Sequence, residues 1–206
     1  MSMQQPGLLL VVSGPAGSGK GTVNQELLKT GDFDFSVSAT TRAPRPGEVD
    51  GVHYHFISRE DFTERIRRGE MLEYTEYVGN YYGTPLDGVR KSIAAGRNMI
   101  LEIELEGARH VKEKYPDAVL VILLPVTFKT QEERLRKRGT EPEEKIRARL
   151  ERTKEEMKYL DVYDYIVYNR DGCAKDAVND LLAIVRAEKC KTSRHPDAAD
   201  KYFEKS

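Results

Sequence analysis

The sequence has 206 residues, a length that accommodates one domain, or one domain with insertions, around a normal buried core. Its formal net charge of −1 provides no overall field for nucleic acid or an anionic membrane, so we expect neither as a partner. The longest apolar run, 118–124, is too short to span a bilayer, and residues 1–5 lack the pattern of a cleavable signal segment.

A glycine-rich segment follows the first apolar run, 8–12, and precedes a helical pattern that is predicted to end near Gly31. Strand, glycine-rich turn and helix are the context of a phosphate-binding P-loop, although an ordinary strand-to-helix turn is the alternative. Lys20 supplies a mobile positive charge for phosphate oxygens. Gly21 stands where Ser or Thr is typical, and Thr22 comes one residue later. The residues expected to bind phosphate are Gly14, Pro15, Ala16, Gly17, Ser18, Gly19, Lys20, Gly21 and Thr22.

Residues 33–39 alternate between apolar and polar side chains, which predicts a second strand that ends near Ser38. A loop rich in proline and glycine follows this strand and carries Arg42 and Arg45. Two neighbouring guanidinium groups can bind one phosphate bidentately, although solvated loop charge is an equally good interpretation of their spacing.

Residues 40–98 alternate between short extended and helical patterns, which predicts a small α+β insertion. Within it, Ser58 begins a helix with a capping box, and 71–78 reads as an extended segment. Thr84 is in position to cap a further helix that begins at Pro85. The pattern of a parallel sheet resumes only after this insertion.

Three side chains of the insertion are candidates for substrate contacts. The hydroxyl groups of Tyr54 and Tyr82 can donate to a phosphate, but tyrosines on short strands serve more often in packing. A carboxylate at Glu73 suits guanine, which offers two parallel N–H donors, whereas adenine offers an acceptor at the equivalent ring position. From the sequence alone, the more common interpretation of Glu73 is an exposed glutamate.

Strands are predicted at 99–105, 119–124 and 165–168, and helices alternate with them. This alternation implies a parallel sheet with right-handed crossover connections. Glu102 and Glu104 share one face of the first of these strands. Carboxylates near a P-loop lysine indicate a site for Mg²⁺ or its water ligands.

Ligands of such a sheet bind beyond the carboxyl ends of the strands. The P-loop lies at that edge, and so do Ser38, Glu104 and Asn169, each of which follows or ends a predicted strand. We therefore expect these residues to lie close together around one site.

Two charged helices are joined at Gly139: a capping box at Thr130 opens the first, and the second reaches about Tyr159. The basic side chains on these helices can close over phosphates or form a solvated helical face. Members of this basic cluster are Arg134, Arg136, Lys137, Arg138, Arg147, Arg149 and Arg152. A last helix is predicted at 174–188, and we expect residues 191–206 to form a polar, mobile tail.

Five motifs of this sequence resemble those of the guanylate kinases, a family of nucleoside monophosphate kinases. They lie at residues 13–20, 36–48, 51–56, 79–84 and 138–141, and the resemblance covers nearly the whole chain. The second and fourth motifs are the most specific, because a P-loop alone occurs in many families.

The resemblance implies an α/β P-loop kinase fold: a five-stranded parallel sheet flanked by helices, a small α+β insertion that binds the nucleoside monophosphate, and a short helical lid. The implied divisions are a P-loop core of 7–39, 99–128 and 156–190, a GMP-binding insertion of 40–98, a lid of 129–155 and a polar tail of 191–206. It also implies transfer of the γ-phosphate of ATP to GMP or dGMP, which gives ADP and GDP, with Mg²⁺ as a cofactor.

The resemblance assigns roles to the residues at matching positions. Those implied to be catalytic are Lys20, Arg42, Arg138 and Arg149. Those implied to bind ATP are the P-loop residues and Asn169, which would lie near adenine. Those implied to face GMP are Ser38, Arg42, Arg45, Tyr54, Glu73, Tyr82, Thr84, Glu102 and Glu104. The candidate metal ligand is Thr22.

Three features depart from the family pattern. Gly21 and Thr22 replace a Ser/Thr pair, Glu104 replaces an aspartate, and Glu106 replaces a glutamine. All three lie close to the expected phosphates, so any difference from the family is expected in the way Mg²⁺ is held.

Two other functions are open at this stage: a non-catalytic interaction module that resembles guanylate kinases, and a P-loop kinase for another monophosphate. The intact Lys20 disfavours the first, and Glu73 with Thr84 disfavours AMP as the substrate of the second. We expect no obligate protein partner. Cys173 and Cys190 lack metal or redox spacing, which favours reduced thiols and a cytoplasmic location.

Overall fold

The computed structural model describes residues 6–203, so the predicted absence of a signal segment in 1–5 lies outside it. The strands are β1 (Leu9–Ser13), β2 (Phe33–Phe35), β3 (Ala39–Thr40), β4 (His55–Phe56), β5 (Met71–Tyr77), β6 (Asn80–Pro85), β7 (Asn98–Leu101), β8 (Val119–Leu124) and β9 (Tyr165–Tyr168). The helices are α1 (Lys20–Leu28), α2 (Arg59–Arg67), α3 (Leu86–Ala94), α4 (Leu105–Lys114), α5 (Phe128–Arg138), α6 (Glu143–Glu156), α7 (Ala174–Lys189) and α8 (Ala198–Phe203). Short 3₁₀ segments are Met157–Val162 and Thr192–Arg194. None of the helices in the described part of the chain is long and apolar enough to cross a membrane.

Five parallel strands form the main sheet, in the order β2-β7-β1-β8-β9. β1 is the central strand, and its Val11 is aligned with Leu101 of β7 on one side and Leu120 of β8 on the other. The strand order changes direction at β1, which places the ligand crevice of such a sheet at the carboxyl end of this strand. The predicted five-stranded parallel sheet flanked by helices is confirmed.

β1 is buried on both faces, as its continuous apolar pattern indicates. Leu10 and Val12 belong to a core that α1 and α7 complete, whereas Leu9 and Val11 belong to a core that α3 and α4 complete. Burial of each large aliphatic side chain contributes about 1.5–3 kcal/mol. These two cores therefore hold β1, and the loop that follows it, in a fixed position.

A second sheet, in the order β4-β3-β6-β5, forms most of the insertion, and β5 and β6 are its antiparallel hairpin. Helix α2 packs on this sheet through Phe62, which stacks on Tyr81 with ring centroids 5.2 Å apart. Ser58 caps α2 as predicted, because its hydroxyl accepts a hydrogen bond from the backbone N–H of Asp61 at 3.0 Å. The insertion thus has a small core of its own.

The single strand predicted at 33–39 is wrong, because the structure divides it between two sheets. β2 pairs with β7 in the main sheet, and β3 pairs with β4 and β6 in the second sheet. The pairing with β7 ends where the backbone N–H of Ser36 donates to the carbonyl of Ile100 at 3.0 Å. Ser38 therefore lies in the link between the two sheets rather than at the end of a strand.

The strand predicted at 99–105 is too long, because β7 ends at Leu101. Glu102 follows the end of β7, and Glu104 is the N-cap residue of α4. The alternation of glutamate with apolar residues imitated a strand, but Leu105 is buried as the first residue of this helix. The two carboxylates do not share a strand face, although both remain at the carboxyl end of the main sheet.

Two predicted helix caps are also wrong. Thr84 lies within β6, where it pairs with Glu73 of β5, and Pro85 takes the N-cap position of α3. Helix α5 is capped by Thr127, whose hydroxyl accepts a hydrogen bond from the backbone N–H of Thr130 at 3.0 Å. Strand pairing and one upstream threonine, rather than local spacing, decide where these helices begin.

The first residues of the predicted mobile tail, 191–206, contact the rest of the chain. Arg194 donates to the carbonyl of Asp117 at 2.8 Å and to the carboxylate of Glu188 at 3.4 Å. Glu188 is only 2% exposed and also pairs with Lys191, so Lys191 and Arg194 neutralise a buried charge. Helix α8 follows, and residues 204–206 lie outside the described part of the chain.

Candidate active site

The loop between β1 and α1 has a backbone that only glycine adopts readily. Gly14, Gly17 and Gly19 have φ values of 146°, 87° and 91°. A Cβ at Gly14 would lie 2.2 Å from the carbonyl oxygen of Leu123, and one at Gly19 would lie 2.2 Å from Nδ2 of Asn169. Both conformation and close approach therefore require glycine at these positions.

Lys20 is the first residue of α1, and its ammonium group lies against this loop. Nζ donates to the carbonyls of Gly14 at 2.6 Å and Pro15 at 3.4 Å. Burial lowers the pKa of Lys20, while the nearby carboxylates of Glu102 and Glu104 act in the opposite direction. The ammonium group is thus a partly desolvated cation, which is suited to binding phosphate oxygens.

Two clefts include residues of the P-loop. The first has a volume of about 420 Å³ and is shared with the insertion and α6; its principal polar residues are Lys20, Tyr77, Glu104, Arg149, Arg152 and Glu156. The second has a volume of about 470 Å³ and is shared with α5 and the segment after β9; its principal residues are Gly17, Thr22, Arg134, Arg138 and Asn169. Arg138 and Arg149, which the sequence placed together on the lid, line different clefts.

A larger cavity, of about 610 Å³, lies away from the P-loop and includes residues of β2, β7 and α7. Arg97 and Arg186 line it, and the guanidinium group of Arg97 already donates to Asp34 at 2.7 Å and to two backbone carbonyls. These contacts serve to join β2 to the end of α3, so we assign this cavity no part in the chemistry.

Asn169, which follows β9, is tied to the P-loop. Its side chain is 6% exposed, and Nδ2 donates to the carbonyl of Ser18 at 2.8 Å. Arg134 of α5 donates to the carbonyl of Asn169 at 2.7 Å and to those of Gly17 and Ser18 at 3.3 Å each. Sequence reasoning counted Arg134 only within the basic cluster. The sequence offers one indication that Arg134 faces the site: it lies one helical turn before Arg138.

Arg42 lies in the loop after β3 and is held by Glu48, a residue that sequence reasoning did not single out. Nη1 and Nη2 donate to the two carboxylate oxygens at 2.8 and 2.9 Å, which holds the pKa of Glu48 at about 2. The guanidinium carbon lies 5.5 Å from the ring centroid of Tyr54, and that ring contacts Tyr82 edge to face. Arg45 is exposed, and its backbone N–H donates to the same Glu48. The structure thus brings Arg42 and the two tyrosines together.

Glu73 and Thr84 form a buried pair on the two strands of the β5–β6 hairpin. Their side chains are 4% and 0% exposed, and Thr84 Oγ1 donates to Glu73 Oε1 at 2.7 Å. Burial raises the pKa of Glu73, against the effects of Thr84, His110 and Lys114. A Cβ at Gly107 of α4 would lie 3.2 Å from Oε2 of Glu73. The interpretation of Glu73 as an exposed glutamate is therefore wrong.

Glu102 and Glu104 are each held by a residue of another element. Asn24 of α1 is 2% exposed, and its Nδ2 donates to Oε2 of Glu102 at 2.8 Å. Glu104 accepts a hydrogen bond from Arg152 of α6. Sequence reasoning missed Asn24, and its only signal was a place one helical turn after the P-loop lysine.

Residues 6–203 contain no group of three or more His, Cys, Asp or Glu side chains that is arranged to hold a metal. Glu102 and Glu104 nevertheless fit Mg²⁺, which is usually bound by one or two carboxylates together with substrate phosphates and water. Thr22, the candidate metal ligand from the sequence, lines the second cleft, whereas Glu104 lines the first.

Comparison with known proteins identifies relatives over nearly the whole chain. The family model described as guanylate kinase matches residues 7–188. The guanylate kinase of Desulfitobacterium hafniense (strain Y51) is 48% identical over 194 residues, which cover 94% of this chain and 96% of that protein. The guanylate kinase of Carboxydothermus hydrogenoformans is 50% identical over 189 residues, which cover 91% of this chain and 92% of that protein.

Among solved structures, a guanylate kinase from Anaplasma phagocytophilum superposes with a TM-score of 0.73 at 32% sequence identity. The superposition covers 93% of this chain and 91% of that one. The family match, the relatives and the shared fold agree, and this chain belongs to the guanylate kinase family.

Proposed function

We propose that this chain transfers the γ-phosphoryl group of ATP to GMP or dGMP, which gives ADP and GDP or dGDP. The observation that carries the proposal is the buried pair of Glu73 and Thr84. Guanine presents N–H donors at its N1 position and its 2-amino group, and one carboxylate accepts both side by side. The N1 atom of adenine is an acceptor, so adenine would deprive this buried carboxylate of both base donors, which should disfavour AMP by about 10⁴-fold.

On this proposal, the insertion also binds the phosphate of GMP. Arg42 supplies the principal charge, because Glu48 already fixes the plane of its guanidinium group. Tyr54 and Tyr82 lie beside it and supply hydroxyl donors. The remaining proposed GMP contacts are Ser38, Arg45, Glu102 and Glu104.

ATP is assigned to the P-loop. The backbone N–H groups of the loop and the ammonium group of Lys20 bind its phosphates. Arg138 and Arg149 approach these phosphates from the two clefts, which gives the lid two cations for the transferred group. Asn169 lines the second cleft, on the side where the adenosine moiety is proposed to lie.

Mg²⁺, when bound, would neutralise charge on the phosphates of ATP. We assign Glu102 and Glu104 to it or to its water ligands, with the hydroxyl of Thr22 as the alternative ligand. Asn24 supports this assignment, because its Oδ1 is a buried acceptor without a hydrogen-bond partner among the described residues, and its Nδ2 fixes Glu102.

The proposed reaction needs no general base from the protein. A phosphate monoester has a second pKa of about 6, so GMP is largely dianionic at neutral pH and attacks the γ-phosphorus directly. Lys20, Arg42 and the lid arginines would bring the two anionic substrates together in line and neutralise the negative charge of their phosphates. Tyr77 of the insertion and Arg149 of the lid line the same cleft, so their approach over the substrates would exclude water.

We also propose a cytoplasmic location, with small molecules as the partners of this protein. The free thiols of Cys173 and Cys190 support a reducing compartment. The small net charge of −1 supports the absence of a nucleic-acid partner.

A coupled assay of ADP release, run with GMP, dGMP, IMP, AMP and UMP in turn, tests the proposed function. We expect turnover with GMP and dGMP, a lower kcat/KM with IMP, which lacks the 2-amino donor, and none above background with AMP or UMP. Glu73→Gln should lower kcat/KM for GMP by about 100-fold or more while ATP binding persists. Equal turnover of AMP and GMP, or unchanged GMP turnover by Glu73→Gln, would contradict the proposal.

A further inference from the structure

Gln131 is a buried polar residue on an otherwise strongly charged helix, α5, where its side chain is only 1% exposed. Its Nε2 donates to the carbonyl of Ala16 in the P-loop at 2.9 Å and to Oγ1 of Thr153 in α6 at 2.8 Å. The amide nitrogen has two hydrogens, and both are used. One side chain therefore connects the P-loop with both helices of the lid.

The hydrogen bonds continue from Thr153 to Arg149. Thr153 is 4% exposed, and its Oγ1 donates to the carbonyl of Arg149, one turn earlier in α6, at 3.0 Å. The guanidinium group of Arg149 lines the first cleft and donates to Glu141 at 2.7 Å. Buried hydrogen bonds such as those of Gln131 and Thr153 hold the groups that they join in one arrangement.

Apolar contacts reinforce the same junction. Leu135, Ile146 and Leu150 form a small buried cluster between α5 and α6, and Ala16 packs against it. Ala16 thus contacts the lid both through its side chain and through its carbonyl. A displacement of α6 relative to the P-loop would break the apolar contact, the hydrogen bonds or both.

We propose that Gln131 is a positioning residue that couples the P-loop to the lid and so fixes the place of Arg149 relative to the phosphates. This inference rests on the role assigned to Arg149 in the proposed function. Phosphates bound by the P-loop would fix the carbonyl of Ala16. Gln131 is hydrogen-bonded to this carbonyl and to Thr153, so it holds α6 at a fixed place relative to the loop. Leucine in place of Gln131 keeps the packing but removes the donor to the carbonyl and to the threonine.

The first test compares Gln131→Leu with the same substitution at an exposed residue of α1, Gln25→Leu. Misplacement of the lid arginine should lower kcat by about 10-fold in Gln131→Leu and leave the KM for GMP unchanged. Gln25→Leu should keep both constants. Thr153→Val removes the hydroxyl that Gln131 contacts at nearly constant volume. It should also lower kcat and leave the KM for GMP unchanged, and it tests the inference if Gln131→Leu does not fold.

The second test repeats Gln131→Leu in an Arg149→Ala background, with thermal unfolding of each variant as the control for folding. If Gln131 acts through Arg149, the second loss in kcat should be less than about twofold, because the positioned group is already gone. Equal losses in both backgrounds, or an unchanged kcat in Gln131→Leu and in Thr153→Val, overturn the inference. Full activity of Arg149→Ala overturns it too, but by removing Arg149 from the proposed mechanism, which distinguishes the two failures.

Discussion

Arg42 and Glu48 face each other within one loop as a bidentate pair, with the two nitrogen–oxygen distances at 2.8 and 2.9 Å. The pair fixes the guanidinium plane beside Tyr54 before any phosphate binds. A charged side chain that is already ordered loses less conformational entropy on binding than a mobile one. On the proposed function, Glu48 therefore orients Arg42 for the phosphate of GMP without contacting that phosphate itself.

We expect Glu48→Gln to raise the KM for GMP by about 3–10-fold, because Arg42 would have to be ordered during binding. The kcat at saturating GMP should change little. Steady-state kinetics with GMP varied at saturating ATP measure both constants. Glu76→Gln is the matched control, since Glu76 pairs with Arg59 on the exposed surface of the same insertion; an equal rise in KM for both variants would contradict the prediction.

Acid should weaken GMP binding through Glu73. Burial raises the pKa of Glu73, so this carboxyl takes up a proton before an ordinary glutamate does and then accepts fewer N–H donors. We expect kcat/KM for GMP to fall as the pH is lowered from neutrality, more steeply than kcat/KM for ATP. The pair of Arg42 and Glu48 is not the cause, because it holds the pKa of Glu48 at about 2. A GMP profile parallel to that of ATP would exclude Glu73 as the titrating group.

The same group affects the free energy of unfolding. A carboxyl whose pKa is higher in the folded than in the unfolded state stabilises the fold below its unfolded pKa, and this contribution is lost as the pH rises through the folded value. Glu73→Gln, which removes the buried charge, should therefore raise the Tm at neutral pH and change it little in acid. Calorimetry at both pH values, with Glu70→Gln as an exposed control, checks this; a lower Tm at neutral pH would refute it.

Two glycines of the P-loop should respond oppositely to alanine. Gly19 has a φ of 91° and no space for a Cβ beside Asn169, so Gly19→Ala should destabilise the fold by about 1–3 kcal/mol. Gly21 lies within α1 with no atom within 4 Å of a Cβ, so Gly21→Ala should stabilise it by about 0.5–1 kcal/mol. Urea unfolding at constant m-value measures both changes, and destabilisation by Gly21→Ala would show that the position is more constrained than the structure indicates.

The main sheet could be predicted because most of its strands are short continuous apolar runs, a pattern typical of strands buried on both faces. β8 and β9 begin and end where the patterns indicate. The division of 33–39 could not be predicted, because the partner strands decide where pairing stops. The end of β7 at Leu101 could not be predicted for a related reason. Glutamates alternate with apolar residues over 102–105 whether the chain continues in the sheet or leaves it.

The candidate site shows the same limit. The P-loop glycines and Lys20 lie in a motif with a physical mechanism, so their geometry follows from the sequence. Glu48, Gln131 and Arg134 are polar residues in charged segments, where exposure is the ordinary expectation. Only tertiary packing shows that these side chains hold other groups in place. The roles assigned to Arg138, Arg149 and the GMP contacts stay predictions until the assays above are made.

Within residues 6–203, β1 comes first along the chain and α7 is the last long helix, yet Leu10 and Leu181 share one core. During synthesis, α1 can cover part of this face of the central strand, but the core stays incomplete until α7 has left the ribosome. Contacts of such long sequence separation form slowly, and exposed apolar strands invite association between nascent chains. The fold thus depends on α7 to complete the core beneath the phosphate loop, although the residues of that loop are made much earlier.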